Sequence, residues 1–271
     1  MKIAFMGGGN MATAIIAGLL QRGYRGNDIG VVDLMAEARA RLQDQFKVQV
    51  FAAPDAEVLA AQVLVLAVKP QQLAEVAKSV ASAVSGKLVI SIAAGIRSTD
   101  LSRWLNGHDN IIRVMPNTPS LVQAGIAGLY AMPRVSSEDR GRAEALMRCV
   151  GEVVWVDEEQ AIDAVTAVSG SGPAYVFYFI EALEQAARDL GLSADAARTL
   201  SMHTFSGAAK LALGSSDSPA TLRAKVTSKG GTTERALLIL EQTQVKQHIV
   251  DAVMQAAERA RELADEFGQS R

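Results

Sequence analysis

The residues best suited to chemistry stand at the start of the chain, in Gly7-Gly8-Gly9-Asn10-Met11-Ala12. The spacing Gly7-x-Gly9-x-x-Ala12 fits the dinucleotide fingerprint G-x-G-x-x-G/A. It also has the context that the fingerprint requires, following an apolar strand pattern and opening a helical one. Each small residue has a physical task. Gly7 makes the tight turn, Gly9 lets backbone approach a pyrophosphate, and Ala12 keeps the helix close to the strand. The helix N-terminus then offers free N–H groups and the positive end of its dipole. Asp33 ends the second predicted strand, where an acid would hydrogen-bond the adenine ribose hydroxyls and favour NADH over NADPH. The nearest arginines after it are Arg39 and Arg41. The bland alternatives are an ordinary glycine-bearing turn and a strand-end turn residue at Asp33.

Five further segments have polar or small residues where a site would need them. Ala67-Val68-Lys69-Pro70 stops one strand and starts a helix, leaving Lys69 at the carboxyl edge of the sheet, where ligands bind in doubly wound folds. Ile92-Ala93-Ala94-Gly95 ends another strand with small side chains that leave room for a flat cofactor. In Met115-Pro116-Asn117-Thr118-Pro119, two prolines stiffen a loop bearing an amide and a hydroxyl. A solvated lysine, a simple turn and a stiff connector are the alternatives. In the second half, Ser169-Gly170-Ser171-Gly172-Pro173 interrupts a helical pattern, marking either a sharp boundary or a close approach. Thr227-Ser228-Lys229-Gly230-Gly231-Thr232-Thr233-Glu234 opens a helix. Thr232 or Thr233 is the expected N-cap, and the adjacent N–H groups suit a carboxylate. A capped helix start without a ligand is the alternative there.

The elements that must position these residues emerge from periodicity. Strands are expected over 2–6, 29–33, 48–51, 63–68, 88–92, 111–115, 126–131 and 152–156. Several are continuously apolar, as a strand buried on both faces is. Helices are expected between them over 10–22, 36–46, 55–61, 71–84, 98–105 and 136–149. This alternation predicts a doubly wound, Rossmann-type α/β sheet over residues 1–160, with the last strands joining in a mixed sense. From 161 to 271 only helical patterns remain, over 161–190, 194–213, 219–227, 231–242 and 245–267. Val176-Phe177-Tyr178-Phe179-Ile180 runs apolar around a whole helix, which needs cover on all sides. The second half therefore reads as an all-α dimerisation domain in an interlocked homodimer.

Composition narrows the function classes. A net charge of −2 and pI near 6.0 leave no basic excess for nucleic acid. The single Cys149, in an apolar stretch, reads as core packing, and His108, His203 and His248 lack metal-ligand spacing, so no metal is expected. No apolar run suffices for a membrane span. The chain opens on a strand pattern with no cleavable leader, so a cytoplasmic location is expected.

Taken together, GGGNMA, AVKP, SIAAG, RVMPNTP, AVSGSGPAY and VTSKGGTTE resemble the ordered signature set of the pyrroline-5-carboxylate reductases, spanning residues 7 to 234. The resemblance implies reduction of a cyclic imino acid, 1-pyrroline-5-carboxylate, to L-proline, the last step of proline synthesis. It implies a Rossmann domain plus a helical domain interlocked across a dimer, with dimers assembling into a decamer. Gly7, Gly8, Gly9, Asn10 and Met11 would bind pyrophosphate. Val68, Lys69, Pro70, Ala93 and Ala94 would line the cofactor, and Asn117 the nicotinamide region. Gly231, Thr232 and Thr233 would hold the substrate carboxylate and ring nitrogen, with Glu159 and Ser171 nearby. The substrate pocket would combine one subunit's cofactor domain with helical segments of its partner. Asp33 and Pro54 replace a small polar residue and an asparagine that face the 2′-phosphate in many relatives, so both NADPH and NADH are expected to serve, with NADH use favoured more than in a typical member.

No strong base stands out, and an imine substrate explains why. A cyclic imine is protonated near neutral pH and accepts hydride directly, so the protein need only position and polarise it. Thr233 is the candidate catalytic hydroxyl. Two rivals remain. A β-hydroxyacid dehydrogenase-like oxidoreductase would place a lysine shortly after Gly170-Ser171-Gly172, where none stands. A non-catalytic dinucleotide-binding protein would not need the intact Gly230–Thr233 loop.

Overall fold

The computed structural model describes residues 1–268. Eight strands form one sheet: β1 (Ile3–Met6), β2 (Ile29–Val32), β3 (Gln49–Phe51), β4 (Val63–Leu66), β5 (Leu88–Ser91), β6 (Ile111–Met115), β7 (Gly125–Ala131) and β8 (Gly151–Trp155). The order is β3-β2-β1-β4-β5-β6-β7-β8. Every neighbouring pair is parallel except β6 and β7, which run antiparallel. The order reverses between β1 and β4, and that switch point is where such sheets bind ligands.

Strands β1, β2, β4 and β5 are buried at every position. Alternate residues serve opposite cores. Ile3, Phe5, Val63 and Val65 pack with Ile15, Ile16 and Leu19 on one face. Ala4, Met6, Leu64 and Leu66 pack with Leu73, Ala77 and Leu101 on the other. Each large apolar side chain removed from water contributes about 1.5–3 kcal/mol, so the sheet is the rigid frame of the site. The covering helices are α1 (Asn10–Gln21), α2 (Ala36–Phe46), α3 (Pro70–Val80), α4 (Ser98–Trp104), α5 (Ser137–Met147) and α6 (Ala161–Val165).

A further five helices complete the described chain: α7 (Gly172–Asp189), α8 (Ala194–Leu213), α9 (Pro219–Lys225), α10 (Thr232–Gln242) and α11 (Val245–Gly268). Two expected helices are altered. Residues 55–61 form only a 3-10 turn, Val58–Ala60, because Asp55 Oδ1 accepts from the N–H groups of Glu57 and Val58. The expected helix 161–190 is α6, a π-helical turn over Thr166–Gly170, and α7.

The chain divides into two compact units. Unit 1 is residues 1–171 together with the described residues from Gln255 onward, and unit 2 is Gly172–Met254. This division by contacts falls at 171/172, beyond the expected boundary at 160/161. The first turns after β8 pack on the sheet, with Ile162 and Ala167 buried, and Ala260 and Ala264 of α11 are buried as well. The last three residues of the expected helical domain lie outside the described residues. Within unit 2, α7 packs along α8, but Val176, Phe177, Tyr178, Leu238, Ile239 and Met254 remain exposed. An apolar cleft of about 250 Å³ opens among Tyr175, Phe179, His248 and Ile249.

Candidate functional site

The loops after β1, β2, β4, β5 and β6, the stretch after β8 and one loop in unit 2 hold the expected site residues. The first is the glycine turn. Gly7 has φ +105°, and a Cβ there would stand 2.7 Å from the Ala67 carbonyl oxygen, so glycine is required by conformation and by packing. Its N–H donates to Val32 O at 2.8 Å. Gly9 is different. It caps α1 with φ −69°, which any residue adopts, and a Cβ built on it meets nothing within 4 Å. The fold has no need of glycine at that position. A ligand approaching the α1 N-terminus does, and α1 has no side-chain cap competing for its first N–H groups. These residues fit a dinucleotide pyrophosphate.

Asp33 braces this turn. Its Oδ2 accepts from Gly8 N–H and its Oδ1 from Met35 N–H, both at 2.8 Å. Arg39 donates to the carbonyls of Asp33 and Leu34, at 2.7 and 2.9 Å. Arg41 donates to Gly8 O at 3.2 Å. Both arginines thus reach the adenosine end of the expected site. At the next edge positions, Lys69 is exposed and caps α3, with Pro70 in its first turn.

The loops after β5 and β6 are tied together. The first of them has Ala93 buried, Ala94 half-buried, and Gly95 at φ +70°. Leu263 and Phe267 of α11 lie 3.3 Å from where a Gly95 Cβ would stand. At the end of this loop, Ser98 donates its N–H to Glu159 Oε1 and its hydroxyl to Glu159 Oε2, both at 2.6 Å. On β6, Arg113 donates from Nη1 to Glu159 Oε1 at 3.1 Å, and its Nη2 stands 3.8 Å from Asp163 Oδ1. The Arg113 side chain is 3% exposed. Burial pushes the Asp163 carboxyl above its ordinary value, against the opposing pull of Arg113. In the loop after β6, Asn117 is buried, donates to Ser169 O at 3.1 Å and accepts from Ile126 N–H at 3.0 Å. It thereby holds the π-helical turn, in which Ser171 N–H donates to Thr166 O at 2.8 Å.

In unit 2, Ser228 to Gly231 form a turn closed by Gly231 N–H donating to Ser228 O at 3.0 Å, with Gly230 at φ +73°. The N-cap of α10 is Gly231, which corrects the expectation of a threonine cap. Thr232 and Thr233 occupy the first helical turn and are both exposed. Glu234 reaches back to accept from Gly230 N–H at 2.7 Å. The first-turn N–H groups of an α-helix have no intrahelical acceptor, so those of Thr232 and Thr233 are open to an anion.

Comparison with known proteins decides the family. Residues 159–263 match the description pyrroline-5-carboxylate reductase dimerisation, and residues 2–95 match NADP oxidoreductase coenzyme F420-dependent. The chain is 42% identical over 269 residues to the pyrroline-5-carboxylate reductase of Pseudomonas aeruginosa, covering 99% of this chain and 98% of the relative. It belongs to the pyrroline-5-carboxylate reductases. Among solved structures, the pyrroline-5-carboxylate reductase of Coxiella burnetii superposes with a TM-score of 0.92 at 41% identity, covering 97% of this chain and 98% of that one. The Plasmodium falciparum enzyme, solved with NADP bound, superposes with a TM-score of 0.86 at 28% identity, over 97% and 98% of the two chains.

Within this chain, four expected ligand contacts meet competition, one of them Asp33, whose two oxygens accept from Gly8 and Met35. Both Glu159 oxygens are engaged by Ser98 and Arg113, and the Asn117 amide is engaged by Ser169 and Ile126. Gly231 N–H is likewise engaged by Ser228 O, which leaves Thr232 and Thr233 as the open donors of this loop. Ser98, Arg113 and Asp163 were not expected at the site. The sequence carried a signal for one of them: an arginine inside the apolar strand Ile111-Ile112-Arg113-Val114-Met115 must find a buried carboxylate. Among the described residues no group of three or more His, Cys, Asp or Glu could hold a metal, and no helix is long and apolar enough to cross a membrane.

Proposed function

We propose that this chain reduces 1-pyrroline-5-carboxylate to L-proline with NADH or NADPH. Two loops in this member of the family support the reading best. One is a glycine turn whose Gly9 leaves open space beyond the needs of the fold. The other is the start of α10, where the N–H groups of Thr232 and Thr233 have no intrahelical acceptor and suit a carboxylate.

When bound, the dinucleotide supplies the hydride, which adds to the imine carbon while the C=N π pair passes to nitrogen. The chain's residues bind and orient. Gly7 to Met11 receive the pyrophosphate, and Asp33 receives the ribose hydroxyls. The backbone of Val68 to Pro70 and the small Ala93 and Ala94 line the nicotinamide half. Thr232 and Thr233 N–H hold the substrate carboxylate, with Ser171 near the ring. The Thr233 hydroxyl hydrogen-bonds the ring nitrogen and relays its proton. No residue with a matched pKa is required, because the protonated imine is already electrophilic.

Two copies pair through the exposed apolar faces of α7 and α10 and the first part of α11, which a lone subunit leaves in water. Dimers then assemble into a decamer in the cytoplasm. Sedimentation of the purified chain tests this assembly. Oxidation of NADH and NADPH with pyrroline-5-carboxylate tests the activity, and a 3-oxo acid serves as control for the dehydrogenase reading.

A further inference from the structure

We infer that Glu159 is a positioning residue. Through Ser98 and Arg113 it sets the spacing between the loops after β5 and β6, and acts on hydride transfer without touching substrate. The inference rests on the proposed lining of the nicotinamide half by Ala93 and Ala94 of the loop after β5, and on the expected place of Asn117 of the loop after β6 beside it.

The geometry is specific. Glu159 lies just before α6, on neither loop. Its Oε1 accepts from Ser98 N–H and from Arg113 Nη1, and its Oε2 accepts from the Ser98 hydroxyl. Ser98 is where the loop after β5 becomes α4, and Arg113 is two residues before the end of β6. Arg113 and Ser91 are register partners in the sheet, so Arg113 sits beside the last residue of β5. One carboxylate therefore fixes the downstream end of one loop and the upstream end of the other. Asn117 extends the brace from the second loop to Ser169 of the π-helical turn.

Stability alone does not explain the arrangement. A buried ion pair is often no more stabilising than apolar residues of the same volume. This one is imperfect: Arg113 Nε and Asp163 Oδ1 have no hydrogen-bond partner among the described residues. Arg97 and Arg261 act on Asp163 electrostatically, as Arg113 does. What the cluster supplies is fixed distance. Reacting groups must be held to within about 0.5 Å by supporting hydrogen bonds, and a shift of about 1 Å costs about a hundredfold in rate.

The test uses the full-length chain with Glu159→Gln, Glu159→Asp and Ser98→Ala. In Glu159→Gln the amide nitrogen that replaces one carboxylate oxygen cannot accept from the Ser98 hydroxyl, and the negative charge facing Arg113 is lost. Ser98→Ala deletes only the hydroxyl contact and leaves the charges paired. For Glu159→Gln, kcat per folded enzyme is expected to fall by about ten- to a hundredfold, while the Kd for NADH, read by fluorescence, and the KM for the imine stay within about threefold. Ser98→Ala should show a smaller fall of the same kind, and Glu159→Asp should recover part of the loss. A purely structural role predicts a lower folded fraction with unchanged kcat per folded enzyme. That result overturns the inference, as does unchanged kcat in both Ser98→Ala and Glu159→Gln. Lack of imine-dependent turnover in the unsubstituted chain overturns the functional reading beneath it.

Discussion

Replacing Gly9 with alanine should separate folding from cofactor binding. Gly9 has φ −69° and ψ −176°, allowed for alanine, and the added methyl meets no protein atom within 4 Å. Two small terms act on stability. Alanine is a poorer N-cap than glycine, at a cost of about 0.5–1 kcal/mol. It also reduces the freedom of the unfolded chain, which contributes about 0.4–1 kcal/mol in the opposite direction. They nearly cancel, so the urea midpoint should move little. Binding should not be spared. The methyl stands where a pyrophosphate approaches the α1 N-terminus, and losing one charge-assisted hydrogen bond costs about 1.5–3 kcal/mol. That is about ten- to a hundredfold in Kd for NADH. Gly7→Ala is the contrasting control, because its positive φ and the 2.7 Å approach to Ala67 O penalise the fold itself. If Gly9→Ala binds NADH as the unsubstituted chain does, Gly9 does not face the cofactor. If it unfolds the protein, the empty space read at Gly9 is wrong.

Other parts of the structure carry further expectations. Asp33→Ser removes the carboxylate that would oppose a 2′-phosphate, with Arg39 and Arg41 already at hand, so the NADPH/NADH ratio of kcat/KM should rise about tenfold or more. An unchanged ratio means that Asp33 serves only to brace Gly8 and Met35. Thr233→Ala should lower kcat about ten- to a hundredfold with NADH binding intact, and normal turnover at saturating imine removes Thr233 from the mechanism. His108 is half-buried with Nε2 unpartnered, and burial pulls its imidazolium below the ordinary range. The unfolded chain therefore takes up this proton first. The stability that neutral His108 contributes is present above its unfolded value of about 6.5 and is lost as pH falls through its lower folded value. His108→Gln should flatten urea midpoints across that window, and an unaltered slope assigns the dependence elsewhere.

The sheet was legible because its strands are buried on both faces. Runs such as Val63-Leu64-Val65-Leu66 fit no other element of that length. The glycine turn was legible because Gly7 must be glycine for the backbone alone, whatever binds there. The features that could not be read depend on contacts distant in sequence. The π-helical turn at Thr166–Gly170 is held by Asn117, about fifty residues earlier, and Gly170 stands where a Cβ would meet Met115 at 2.6 Å. The boundary at 171 arises because residues after β8 pack back on the sheet, although their helical pattern is like that of α7. Glu159 carried no local signal for Ser98 as its partner, since 61 residues separate them. Residues 55–61 were read as a helix because an aspartate that caps a helix and one that closes a turn look alike in sequence.

The most direct test supplies the purified chain with pyrroline-5-carboxylate and either NADH or NADPH, and tracks both cofactor oxidation and L-proline. Imine-dependent oxidation with stoichiometric L-proline, and none with a 3-oxo acid, is the expected result. No imine-dependent oxidation with either cofactor contradicts the proposal that this chain reduces the imine.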